Sequence, residues 1–86
     1  MQPITLYTTE TCHFCKGVKD LLATRGYRFT EVPLAMDDDG RSQLEMRTGR
    51  RSFPQLVVGD DTLGGIEEIL AAVRTGKLAE LVGADA

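Results

Sequence analysis

Between Ile4 and Val32 the hydrophobic period of the chain changes twice. The run "ITLYT" (Ile4–Thr8) is short and rich in β-branched and aromatic residues, which predicts a strand. Thr8 to Thr11 form a polar loop with hydroxyl side chains suited to the start of a helix. From Phe14 the apolar positions Phe14, Cys15, Val18, Leu21 and Leu22 follow one helical face, and Gly26 stands where a glycine C-cap is expected. "YRFTEV" (Tyr27–Val32) then alternates as a second strand. Two strands joined by a helix of about three turns pair in parallel through a right-handed crossover, so any fold for this chain must contain that unit.

The remainder adds to it without competing. Asp37, Asp38 and Asp39 place negative charge where a helix would begin, and Gly49 would end it. "PQLVVGDDTLGG" predicts a hairpin, with a buried run Gln55–Val58, the turn "GDD" and a short strand at Thr62 and Leu63. Ile66, Ile69, Leu70 and Val73 form a third helical stripe ended by Gly76, and a short helix over Lys77–Val82 should pack back on the sheet. The order βαβ, helix, ββα, helix predicts an α/β protein with a four-stranded mixed sheet flanked by helices, a thioredoxin-like arrangement. With 86 residues the chain has room for one hydrophobic core, so residues 1–86 are taken as a single domain.

Charge and hydropathy narrow the classes of function. A net charge of -3 argues against a nucleic-acid partner, which usually demands a basic face. The local exception is the cluster Arg47, Arg50 and Arg51, which fits either a solvated helix end or an anion contact. The N-terminus shows no basic region followed by an apolar run, and the chain lacks the roughly 18 consecutive apolar residues of a membrane span. A cytoplasmic setting with no membrane partner is therefore the expectation.

In that setting two cysteines three positions apart point to catalysis or metal rather than a permanent staple. A bridge across two intervening residues would also remove little unfolded-state entropy. Cys12 falls at the junction of a strand and a helix N-terminus, where unpaired N–H groups and the helix dipole favour an anion. Its thiol is expected to titrate below the ordinary value of about 8.5, and Cys15 lies one turn on, in reach of Cys12 to resolve a mixed disulfide. A closed zinc site needs four ligands, whereas the chain holds two cysteines and one histidine, His13, so no metal ligands are assigned. A soft-metal carrier built on two thiolates remains a competing reading. His13, between the cysteines, either tunes the thiolate or is a tolerated exposed side chain.

The segments "TCHFC", "SFPQL" and "LGGIEE", in this order across about Ile4 to Val82, resemble those of dithiol glutaredoxins. The resemblance implies a glutathione-dependent thiol–disulfide oxidoreductase with Cys12 as nucleophile and Cys15 as resolver. Glutathione would be reductant and co-substrate, disulfide-containing or glutathionylated proteins would be the partners, and the chain would act as a monomer. It also implies that Pro54 is cis and that Phe53 offers its backbone N–H and C=O to the cysteinyl part of glutathione. Gly64 and Gly65 would allow close backbone approach, Ile66 and Glu67 would hold the γ-glutamyl end, and Arg41 the glycyl carboxylate. Thr9, His13 and Phe14 complete the implied glutathione site. Two departures stand out: Thr9 replaces the usual lysine three residues before the first cysteine, and Cys-His-Phe-Cys replaces Cys-Pro-Tyr-Cys. The first removes a cation, for which Arg41, Arg50 or Arg51 would substitute. The second frees a backbone N–H and leaves open the alternative of a [2Fe–2S] cluster held between two copies, a carrier or sensor function. A version reduced by thioredoxin reductase would usually show a tryptophan-containing stretch, and this chain has no tryptophan.

Overall fold

The structure, a computed structural model, describes residues 2–10 and 13–83. The elements are β1 (Ile4–Thr8), α1 (His13–Thr24), β2 (Thr30–Pro33), α2 (Asp38–Thr48), β3 (Gln55–Val58), β4 (Asp61–Gly64), α3 (Ile66–Thr75) and α4 (Lys77–Val82). The strands form one sheet in the order β2-β1-β3-β4. β1 pairs in parallel with β2, in the register Thr5 to Thr30 and Thr8 to Pro33, as the βαβ pattern requires. β1–β3 and β3–β4 are antiparallel, with Leu6 opposite Leu56 and Leu56 opposite Leu63. The thioredoxin-like mixed sheet expected from the sequence is the fold.

Alternation along the strands decides which face is packed. Ile4 and Leu6 of β1, Leu56 and Val58 of β3 and Leu63 of β4 enter one core with Val18 and Leu22 of α1 and Ile69 and Ala72 of α3. Leu78 and Val82 of α4 join the same cluster, and the Gln2 amide donates to the Val82 carbonyl at 2.8 Å, which ties the last helix to the chain's start. The other strand positions include Tyr7 and Gln55, which are opposite each other. Leu44 of α2 is fully buried yet lies outside the main cluster.

The second strand begins three residues later than the alternation suggested. Gly26 adopts φ 77°, its amide donates to Ala23, and the amide of Tyr27 donates to Leu22 at 2.9 Å. This pair of bonds is a Schellman ending, so Tyr27 belongs to the termination of α1 and cannot yet pair with β1. Tyr27 and Phe29 pack against the core from that connection. Strand pairing starts at Thr30, and the Leu34 amide extends it with a 2.8 Å bond to the Thr8 carbonyl. The hairpin likewise tightens: Val58 pairs with Asp61, so the turn is Gly59 and Asp60, and Asp61 joins β4. Among the described residues no helix is long and apolar enough to cross a membrane.

Candidate active site

β1 ends at Thr8, and α1, which carries Cys15, is under way by His13. Cys12 lies outside the described residues. Cys15 sits in the first turn of α1, is 3% exposed and is disulfide-bonded. It lines a pocket of about 270 Å³ together with Thr8, Thr9, Lys19 and Glu31. In that pocket Glu31 accepts a 2.8 Å hydrogen bond from the Thr8 hydroxyl and faces the Lys19 ammonium at 3.4 Å. The Thr8 bond above all, with Lys19 behind it, holds the Glu31 carboxyl below its ordinary range.

The second wall is built by the segment before β3. The Phe53–Pro54 peptide bond is cis, as the family pattern implied, and Pro54 is buried. The Pro54 carbonyl accepts the amide of Gly65 at 3.0 Å, which joins this segment to the start of α3. Gly65 itself has φ 87° and ψ 163°, a region open essentially to glycine, so the turn into α3 depends on the residue type there. Beyond it the first-turn amides of Ile66, Glu67 and Glu68 have no intrahelical acceptor, as in any helix, and present donors to an anion.

A cavity of about 550 Å³ opens beside Phe53, lined by Met36, Arg41, Arg51 and Ser52. Met36 also borders a second pocket of about 310 Å³ that reaches Thr9. The cavity thus brings together Phe53 and Arg41, two of the residues singled out in the sequence, and links them through Met36 to Thr9. Thr9 is 6% exposed and its hydroxyl has no partner among the described residues. A buried hydroxyl without a partner costs stability.

The arginine cluster divides. Arg47 is in the last turn of α2. Arg51 lines the cavity, with its guanidinium 3.3 Å from Glu45. The Arg50 guanidinium carbon lies 3.2 Å from where a Cβ on Gly64 would stand, as does Oε2 of Glu68, with Oε1 of Gln55 at 3.1 Å. Gln55 is fully buried and that oxygen has no partner among the described residues, while its amide nitrogen donates to the Ser52 carbonyl at 2.7 Å. Arg51 was named from the sequence only as one of three arginines that would replace the missing cation, and Gln55 and Met36 were not assigned. The Arg-rich stretch signalled the first, and nothing in the pattern distinguished the other two from core and surface positions.

The two glutamates of "GGIEE" part as well. Glu68 accepts a hydrogen bond from the Gly64 amide and so faces the hairpin. Glu67 lines a groove with Arg25, Leu70, Val73 and Arg74 on the outer side of α3. His13, Phe14 and Ile66 meet at the top of α1 and α3 around a small apolar pocket of about 260 Å³, where Phe14 is 56% exposed.

A buried, disulfide-bonded cysteine at the head of the helix that follows the first strand of a thioredoxin-like sheet, in a chain with a cis-proline just before β3, is the arrangement of a thiol–disulfide oxidoreductase. The family model for glutaredoxin matches residues 4–63. The glutaredoxin of Pseudomonas aeruginosa is 33% identical over 84 residues, covering 98% of this chain and 100% of its own length. Glutaredoxin 3 of Escherichia coli K12 is 32% identical over 82 residues, 95% of this chain and 99% of its own. Among solved structures, a buckwheat glutaredoxin–glutathione complex superposes with a TM-score of 0.80 at 28% identity, covering 99% of this chain and 83% of that one. The glutaredoxin of Brucella melitensis does so at 0.79 and 32% identity, covering 100% and 96%. The chain belongs to the glutaredoxin family.

Proposed function

We propose that this protein reduces glutathione mixed disulfides and protein disulfides with glutathione as the electron donor, through Cys12 and Cys15. The observation that carries the reading is the cavity beside Phe53 with the Arg41 and Arg51 side chains in its wall. A tripeptide with two carboxylates and one ammonium needs cations at one end and paired donors and acceptors at the other. The two arginines suit its glycyl carboxylate. The Phe53 backbone suits its cysteinyl amide, as one more strand laid on an edge. The amides of Ile66 and Glu67 suit the γ-glutamyl carboxylate, with Glu68, turned toward Gly64, better placed than Glu67 for the ammonium. The unpartnered Thr9 hydroxyl lies at the other end of the connected pockets, where a lysine would usually stand.

In the reaction the Cys12 thiolate attacks the glutathionyl sulfur of a mixed disulfide, the old S–S bond breaks, and the departing thiolate takes a proton from water. A glutathione thiolate then attacks the glutathione sulfur now bonded to Cys12, so that glutathione disulfide leaves and the Cys12 thiolate returns. With a protein disulfide, Cys12 forms the mixed bond and Cys15 attacks the Cys12 sulfur, releasing the second substrate thiol. Two glutathione molecules reduce the resulting bridge. A cytoplasmic, monomeric setting belongs to the same proposal, and no observation on the described residues favours the cluster alternative.

The test is glutathione-coupled turnover of a small glutathione mixed disulfide by the wild type, Cys12→Ser and Cys15→Ser. Activity lost in Cys12→Ser and kept in Cys15→Ser is expected. Full activity in Cys12→Ser would remove the nucleophile assignment, and an inactive wild type would remove glutathione dependence.

A further inference from the structure

α1 and α3 lie side by side, with their N-terminal ends together at His13, Phe14 and Ile66. Two surface hollows follow the seam between them. The upper one, about 260 Å³, is lined by Phe14, Leu21, Ile66 and Leu70 and is almost wholly apolar. The lower one, about 750 Å³, contains Leu70 again, then Val73, Arg25 and Arg74. Leu70 belongs to both, so the hollows are one track. Phe14 and Leu70 are 56% and 48% exposed, unusual for large apolar side chains and both in this track. At its far end neither Arg25 nor Arg74 is in an ion pair among the described residues, although the chain as a whole is acidic. Their places near helix C-terminal ends explain why cations are tolerated there, but not why two of them share one groove with an apolar floor.

We propose that this seam is the docking track for the polypeptide that carries the target disulfide. The track selects a segment with an apolar residue beside its cysteine and an acidic residue about five residues away. The spacing follows from geometry. The twelve residues of α1 rise about 18 Å from His13, the residue after Cys12, to the start of Arg25, and an extended chain covers that in about five residues. The apolar neighbour covers Phe14 and Leu70, and the acidic side chain reaches the two guanidiniums. Glu67 lines the track and repels an acid placed nearer the cysteine, so the preference is positional. The inference rests on the glutaredoxin reaction proposed above and adds its substrate class.

The test uses two synthetic peptides, each with a central glutathionylated cysteine flanked by leucine. One carries aspartate, the other lysine, about five residues away on both sides. Turnover with glutathione is measured for the wild type and for Arg25→Ala/Arg74→Ala, with a small glutathione mixed disulfide as reference. The aspartate peptide should exceed the lysine peptide about fivefold in kcat/KM at low salt, an advantage lost in the double variant and at high salt. The reference substrate should be unchanged by the double variant. Equal rates for the two peptides, or a preference that survives the double variant, overturns the docking track while leaving the glutathione reaction in place. A wild type inactive on the reference substrate overturns both.

Discussion

α2 and the α1/α3 pair are held in different ways. α1 and α3 each present an apolar stripe to the main core, through Val18 and Leu22 and through Ile69 and Ala72. α2 is eleven residues long and buries only Gly40 and Leu44. Its remaining support is local. The Asp37 carboxylate accepts the Gly40 amide at 2.8 Å, and Gly49 closes the helix with a 2.8 Å bond to the Glu45 carbonyl. The Thr48 hydroxyl donates to the Leu44 carbonyl at 2.8 Å. A Cβ on Gly40 would collide with the Ala35 backbone, so the helix start lies directly against the segment that precedes it. Arg41 follows at once. The Arg41 wall of the cavity beside Phe53 therefore stands on a helix with one large buried apolar side chain, and Cys15 on a helix with three buried residues.

Replacing the apolar anchors tests this most sharply. Leu44→Ala and Leu22→Ala each remove a fully buried leucine and should cost about 3 kcal/mol in denaturant unfolding. They should differ in hydrogen exchange: Leu44→Ala strips protection from α2 alone, whereas Leu22→Ala lowers it across the sheet. Uniform loss in both would erase the contrast. Gly40→Ala comes next. On a solvated helix alanine stabilises by about 1 kcal/mol, whereas the collision with Ala35 should reverse the sign to a loss of about 2 kcal/mol. The displaced Arg41 should raise the KM for glutathione with little change in kcat, and a stabilised variant would show that the close approach does not position α2. Asp37→Ala removes the N-cap and should cost about 1 kcal/mol, again felt mainly in α2.

The smallest effect belongs to the α1 side. The Glu31 carboxyl is held low in the folded state, first by Thr8 and then by Lys19, so its contribution is fully present above the ordinary value of 4.5 and fades as pH falls through the folded value. The stability difference between the wild type and Thr8→Val should be small and constant near neutrality, and should shrink as pH drops below about 4.5. A difference that stays flat into acid would mean that the Thr8 bond does not carry the shift.

Much of this molecule is legible in the chain. The changes of hydrophobic period placed β1, β3 and all four helices within a residue or two, because burial of a stripe or an alternating face is a local pattern. β2 was misplaced because Tyr27 and Phe29 alternate like a strand, yet the amide of Tyr27 is taken by the helix ending at Gly26. In the site, the Cys-x-x-Cys spacing was readable directly, and the cis-proline only through the resemblance to glutaredoxins. Gln55 was not: its buried, half-satisfied amide looks in sequence like any polar residue at a strand start.

The sequence by itself determined the order of elements, their caps, the parallel pairing of the first two strands and the family. Only the tertiary structure decided which of two adjacent glutamates and which of three clustered arginines turn toward the site. Neighbours on a helix differ by about 100° in direction, so Glu67 and Glu68 share composition and charge but not a face. Arg50 and Arg51, in the chain between α2 and β3, take opposite assignments for a similar reason, one toward Gly64 and one toward Phe53. Charge is written along the chain, but direction is set by what each side chain meets across the fold.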